Sequence, residues 1–264
     1  MEELKSAFMV ELTNKDIENY LKRNNMVIIP VGSCEQHGDH LPLGTDVFIP
    51  NEIARRISKK MDALIAPPLY YTLSQGHKGA SGLAYISART LLSLAEDIGN
   101  SFLEVGFRRI FFLNGHWTNI GILTMACSEV SKNAPEDTQI YACTYWDTLP
   151  EDQLNDYLSL KVGLHANIGE TSAVLAINSS LVDLNEAKEF WPKMPSFHGS
   201  PIAVLNAYFD AQEGSSWKTY KGGIFGNPKE SSIEKGKKFL DQIEIAVLSF
   251  INEIEEMNRT LKIK

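Results

Sequence analysis

Three short runs of the chain are apolar almost without interruption: Met26-Val-Ile-Ile-Pro-Val31, Arg109-Ile-Phe-Phe-Leu113 and Gln139-Ile-Tyr-Ala-Cys-Thr-Tyr145. A half-exposed strand alternates apolar and polar residues, so runs like these predict strands buried on both faces, as in a parallel sheet covered by helices. Between the first two, Thr90 to Val105 carries Leu91, Leu92, Leu94, Ala95, Ile98, Phe102 and Leu103 on one broad stripe and stops near Gly106. That is the pattern of a crossover helix with a glycine stop. Ala63-Leu-Ile-Ala66, halted by Pro67 and Pro68, reads as a further buried strand after a helical stretch from Pro50 to Ile57. Ile120 to Lys132 is expected to be the helix separating the last two strands. Strand and helix in this alternation predict an α/β fold, with a mostly parallel central sheet between two layers of helices.

The remaining segments are less regular. Thr13 is placed to cap a short leading helix, with Asp16 near its positive end. Asp152 to Leu160 is expected to be a short helix, Thr171 to Ile177 a helix following Glu170, and Ser232 to Met257 the last helix. Leu69 to Ser87, rich in Gly, Ser and Tyr, is expected to be a long functional loop, and residues 185 to 230 show too weak a periodicity to assign. At 264 residues with 44% hydrophobic content, one domain spanning residues 1–264 with a full core is expected. The net charge of -8 with no basic stripe argues against a nucleic-acid partner. Cys34, Cys127 and Cys143 are odd in number and widely spaced, so reduced thiols in a cytoplasmic protein are expected, with Cys34 a small residue of a tight turn. The first ten residues lack the apolar core of a signal peptide, and no run approaches the length of a membrane helix.

Chemistry concentrates directly after the first strand, where Gly32-Ser-Cys-Glu35-Gln-His37-Gly-Asp-His40-Leu-Pro-Leu-Gly-Thr45-Asp46 packs five potential ligands into fifteen residues. The carboxyl end of a strand in a parallel sheet is a usual place for an active site. Glu35 and His37, two apart, leave an extended chain on the same face. Imidazole suits zinc, carboxylate suits harder ions such as manganese, and one carboxylate can bridge two ions. On these residues alone a metal site and a solvated polar loop both remain open. Asn114-Gly-His116 follows the second long strand in the same way and would arrive at the same sheet edge.

The stretch from Gly32 to Asp46 resembles the signature of the creatininase (creatinine amidohydrolase) family almost without a gap, and four further islands extend the likeness over residues 26 to 236. These are Asn114-Gly-His116, Tyr145-Trp146-Asp147, His165-Ala-Asn-Ile-Gly-Glu170-Thr-Ser172, and Gly222-Gly-Ile-Phe-Gly226-Asn-Pro228 with Glu234-Lys-Gly236. The resemblance implies two divalent ions, zinc or manganese with iron(II) as a further option. Glu35, Asp46 and His116 would surround one ion, and His37, Asp46 and Glu170 the other, with Asp46 bridging. It casts His165, with Glu170, as catalytic, and puts His77, Trp117, Trp146 and Lys161 at the substrate. Asp39 and His40 are read as supporting residues, and His198 as an ordinary loop residue. Departures from the family are also visible. Thr118 stands where creatininase has a glutamate ligand, Lys161 where it has a pocket tryptophan, Asn167 where it has a glycine, and Ala80-Ser-Gly-Leu83 where relatives carry Phe-Pro-Gly-Thr.

What the resemblance implies for function is a metal-dependent hydrolase that cleaves a C–N bond of a cyclic or linear amide, acting on a small molecule as a homohexamer. The same site in the family also serves hydrolysis of a cyclic diketone from inositol breakdown and of a formamide of a pyrimidine intermediate. A non-catalytic small-molecule-binding protein is the reading from another class.

Overall fold

The computed structural model describes residues 4–194, 196, 198 and 222–261. Four parallel strands form the central sheet in the order β2-β1-β3-β4: β1 (Met26–Val31), β2 (Leu64–Ile65), β3 (Arg109–Asn114) and β4 (Gln139–Thr144). β3 lies along the whole of β1, Met26 opposite Arg109 and Val31 opposite Asn114, and β4 lies along β3 in the same way. The carboxyl ends of β1 and β3 are therefore level, and the loops that follow them emerge side by side.

Alternate residues of these strands divide between two cores, which is why the runs are apolar on both faces. Met26, Ile28, Phe111 and Leu113 pack on one side with residues of α2 (Thr45–Met61), α6 (Ile168–Asn178) and α7 (Ile233–Leu261). Val27, Ile29, Val31, Ile110 and Phe112 pack on the other with residues of α3 (Ala88–Glu104) and α4 (Ile120–Ser131). This is the three-layer α/β/α arrangement expected from the alternation. The leading helix α1 (Asn14–Leu21) starts at the expected Thr13 cap, and the structure adds a reciprocal capping box, in which the Thr13 hydroxyl accepts from the Asp16 amide and the Asp16 carboxylate accepts from the Thr13 amide. No described helix is long and apolar enough to cross a membrane.

Four expectations are corrected in their boundaries. The helix expected from Pro50 begins five residues earlier, at Thr45, so Pro50 lies inside it and Asp46 in its first turn. Proline lacks the amide that would bond four residues back, to the Asp46 carbonyl. That carbonyl instead sits against Gly32 and Gly115, where any Cβ would collide with it. The helix placed after Glu170 begins before it, at Ile168, because Asn167 caps it by accepting from the Glu170 amide at 3.0 Å. The short helix α5 spans Glu151–Tyr157, and the last helix runs on to Leu261. Part of the unassigned 185–230 stretch is ordered after all: β6 (Phe225–Gly226) pairs antiparallel with β5 (Gly163–His165), and Phe190 bridges to Gly226. Residues 195, 197 and 199–221 of that stretch lie outside the described residues.

Candidate metal centre

Each side chain of the candidate site is delivered by the end of an element. Glu35 and His37 come from the loop after β1, Asp46 from the first turn of α2, His116 from the turn after β3, His165 from the end of β5 and Glu170 from the first turn of α6. Two carboxylates thus sit at helix amino termini, where the peptide dipoles favour negative charge. Glu35, His37, Asp46, His116, His165 and Glu170 are all buried.

Asp46 is the hub. Its Oδ1 lies 2.9 Å from Nε2 of His37, and its Oδ2 lies 3.0 Å from Nδ1 of His116. The two oxygens of one carboxylate therefore face two separate ligand groups. Glu35, Asp46 and His116 offer ligand atoms that lie within 4.8 Å of one another, and so do His37, Asp46 and Glu170. These are the two sets that the sequence resemblance implied. Nδ1 of His37 lies 3.2 Å from the carbonyl of Glu35, a contact that leaves Nε2 as the nitrogen facing the site. Glu170 accepts from the Ala166 amide at 2.6 Å through one oxygen, in a turn where Ala166 takes a φ of 49°. A left-handed alanine is uncommon and costs energy, so the surrounding packing must hold it.

Three buried carboxylates in one place need compensation. Burial pushes the Glu35 carboxyl up, but His116 and His77 outweigh it and hold it at about 2. Asp46 is likewise held low against its burial, by His37 and His116. At Glu170 burial prevails over His37 and His165, and the carboxyl is raised. For His37, burial favours the neutral ring, yet Asp46 with Glu170 and Glu35 raises it to about 10; His116 is raised in the same way to about 9, against its burial, by Glu35 and Asp46. Protonated histidines thus stand in for cations. Within the cluster of Glu35, His37, Asp46, His116, His165 and Glu170, two buried atoms, Oε2 of Glu35 and Nε2 of His116, have no hydrogen-bond partner among the described residues. A mixed imidazole and carboxylate donor set with a buried carboxylate oxygen that makes no hydrogen bond among the described residues fits a divalent ion.

His165 stacks on His37, ring centroids 4.3 Å apart. Its Nδ1 is 2.9 Å from the carbonyl of Gly223 and its Nε2 is 3.1 Å from Oε1 of Glu35. His77 is also drawn into the cluster, its Nε2 3.3 Å from the same Oε1. The other residues placed at the substrate are dispersed. Trp146 is packed edge-on to Tyr145 within the core, Trp117 is half-buried in the turn after His116, and Lys161 is exposed before β5. Thr118 donates to the carbonyl of Leu73 at 3.1 Å and so ties two loops together. Asn167 accounts for the missing glycine: besides its capping role, its amide donates to the carbonyls of Tyr157 and Gly163. His40 is buried, with its Nε2 3.0 Å from the Thr171 hydroxyl; Asp39 pairs with Lys188 at the surface, and His198 is exposed. Two residues of the site lie in the motifs but were given no role from the sequence. Gln36 contacts His77, and Gly223 contributes only a carbonyl, which residue identity does not advertise.

Residues 10–251 match the family model Creatininase, described as creatinine amidohydrolase, and the chain belongs to this family of hydrolases. It is similar to a creatinine amidohydrolase of Pseudomonas putida, at 27% identity covering 96% of this chain and 97% of that one. A mycofactocin precursor peptide peptidase of Mycolicibacterium smegmatis is 39% identical over 83% of this chain and 81% of its own length. A 3-dehydro-scyllo-inosose hydrolase of Thermotoga maritima is 24% identical over 97% of this chain and 86% of its own. Among solved structures, a mutant creatininase complexed with creatine superposes with a TM-score of 0.78 at 26% identity, covering 94% of this chain and 98% of that one. Other creatininase structures similar to this one are described by their manganese or zinc.

Proposed function

We propose that this hydrolase cleaves a C–N amide bond with two divalent ions, zinc or manganese, held by Glu35, His37, Asp46, His116 and Glu170. The observation that carries the reading is the divided Asp46 carboxylate, whose two oxygens face His37 and His116 at 2.9 and 3.0 Å. Ions bound there supply Lewis acidity and a water acidified to near neutrality, at about pH 7 in the case of zinc. The chain does the rest. Glu35, Asp46 and Glu170 compensate the ionic charge in a buried setting, and the Nδ1–H of His165, donated to the Gly223 carbonyl, holds the imidazole so that Nε2 faces the reacting centre. From there Nε2 can accept a proton from the attacking water and pass it on to the leaving nitrogen. Glu170 takes the place of the glutamate that Thr118 replaces.

The substrate is a small molecule or the end of a peptide, handled by a single-domain, cytoplasmic, hexameric enzyme. Two features support a substrate other than creatinine. The loop Ala80-Ser-Gly-Leu83 is rebuilt around Gly82, which packs against Leu43, and Lys161 replaces an apolar pocket residue. The identity to a peptide peptidase supports a linear amide, and that to an inosose hydrolase keeps a cyclic ketone in play with the same site.

Elemental analysis after purification with added metal tests the reading, with about two ions per chain expected. Asp46→Ala should lose both ions and Glu35→Ala mainly one. Absence of zinc, manganese and iron from the wild type would sink the proposal. A panel of short peptides, cyclic amides, formamides and cyclic ketones then ranks substrates, with creatinine expected near the bottom.

A further inference from the structure

Glu35 has to offer a single oxygen to one ion while buried beside three histidines, and something must decide which oxygen. Oε1 lies 3.3 Å from Nε2 of His77 and 3.1 Å from Nε2 of His165, whereas Oε2 makes no hydrogen bond among the described residues and lies 3.4 Å from Nδ1 of His116. Behind His77 stands Gln36, its amide Nε2 3.2 Å from the ring Nδ1. An amide nitrogen only donates, so Nδ1 must accept and the ring proton must sit on Nε2, pointed at Glu35. Gly223, at a φ of 61°, presses its Cα against the Gln36 side chain, where any Cβ would overlap the amide. The amide therefore has little room to move away.

We propose that Gln36 and His77 are positioning residues which lock Oε1 of Glu35 and thereby reserve Oε2 as its one ligand atom toward Asp46 and His116. The proposal rests on the metal-dependent reading above and assigns His77 away from the substrate. It also separates His77 from the ligands. Glu35, His77 and His165 offer atoms within 4.8 Å of one another, close enough to hold an ion by spacing alone. A nitrogen carrying a proton has no lone pair for a metal, and the Gln36 amide keeps that proton in place.

Two measurements test this. The imidazole nitrogen spectrum of the full-length wild-type protein should show His77 with its proton on Nε2 and a bare Nδ1. A proton on Nδ1 would overturn the proposal without any variant being made. Equilibrium metal binding then compares His77→Leu, which lacks the donor, with His77→Gln, whose amide nitrogen falls near the position of Nε2. His77→Leu should weaken one of the two ions by ~10- to 100-fold, the scale of losing an outer partner of a metal ligand, and His77→Gln should restore most of it. Equal weakening in both variants, unaltered affinity with only KM raised, or complete loss of an ion from both would each defeat it. Should His77→Leu not fold, the nitrogen spectrum and His77→Gln still decide. A wild type that takes up no divalent ion marks failure of the metal reading itself, visible before any substitution is compared.

Discussion

At the scale of single residues, the four histidines of the site differ in what their ring nitrogens face, and their substitutions should differ accordingly. His37 and His116 each turn a nitrogen to Asp46, so alanine at either should remove an ion together with activity. His165 turns Nε2 to Glu35 and fixes Nδ1 on a carbonyl. His165→Ala should therefore keep both ions and lower kcat by about a hundredfold or more, the scale of general acid-base catalysis; ion loss equal to that of His116→Ala would make it a ligand. Protonation adds a second expectation. In the metal-free protein the His37 and His116 rings are raised to about 10 and about 9, so ion uptake must expel their protons, and affinity should climb as pH rises toward those values. Stability of the metal-free fold runs the other way. A raised folded pKa stabilises fully below the unfolded value of about 6.5 and is lost as pH passes through the folded one, so the metal-free Tm should fall between pH 7 and 10. Calorimetry across that range checks both slopes, and a Tm that is flat or rises would contradict them. Most residues of the candidate metal cluster were legible because they fall in one dense motif and two strand-end islands. The contact of the Gly223 carbonyl with His165 was not, since a backbone atom carries it, and neither was the contact of His77 with Glu35, which depends on a fold of the 69–87 loop that periodicity does not encode.

The elements set the site through a few close approaches. Gly32 and Gly115 both face the Asp46 carbonyl, so the first turn of α2 rests directly on the ends of β1 and β3. Gly115→Ala should push that turn away, at a cost of ~1 to 3 kcal/mol for overpacking, and lower the affinity for both ions because Asp46 moves with the turn. Unchanged metal affinity in a folded Gly115→Ala protein would show that the turn adapts. Asn167 plays a comparable part at α6. Asn167→Ala removes a cap worth about 1 kcal/mol and strips a partner from two buried carbonyls, which denaturant unfolding should register as a loss of ~2 kcal/mol or more. The four strands of the central sheet were readable from the sequence because their runs show no polar alternation to misread, whereas the short pair β5 and β6 was not. The starts of α2 and α6 were not: Pro50 looks like a first-turn residue, and the contact of the Asp46 carbonyl with two glycines accommodates a turn of α2 before it.

Over the whole molecule, the sheet separates two cores, and the site sits beyond the carboxyl ends of β1 and β3, gathered from segments far apart in the chain. Ions bound only to the folded state should raise stability by mass action, about 2.7 kcal/mol at a hundredfold excess over Kd, so Tm should drop on adding a chelator and recover with metal concentration. The gathering also has a kinetic side. His116 lies 70 residues from its partner Asp46, and His165 lies 130 residues from Glu35. Contacts that close such long stretches of chain are expensive to form early, so the strands and crossover helices must assemble before the ligands meet. Metal then stabilises interactions absent from the folding transition state. Its addition should leave the refolding rate unaltered and slow unfolding instead, which makes the loaded protein long-lived rather than quick to form.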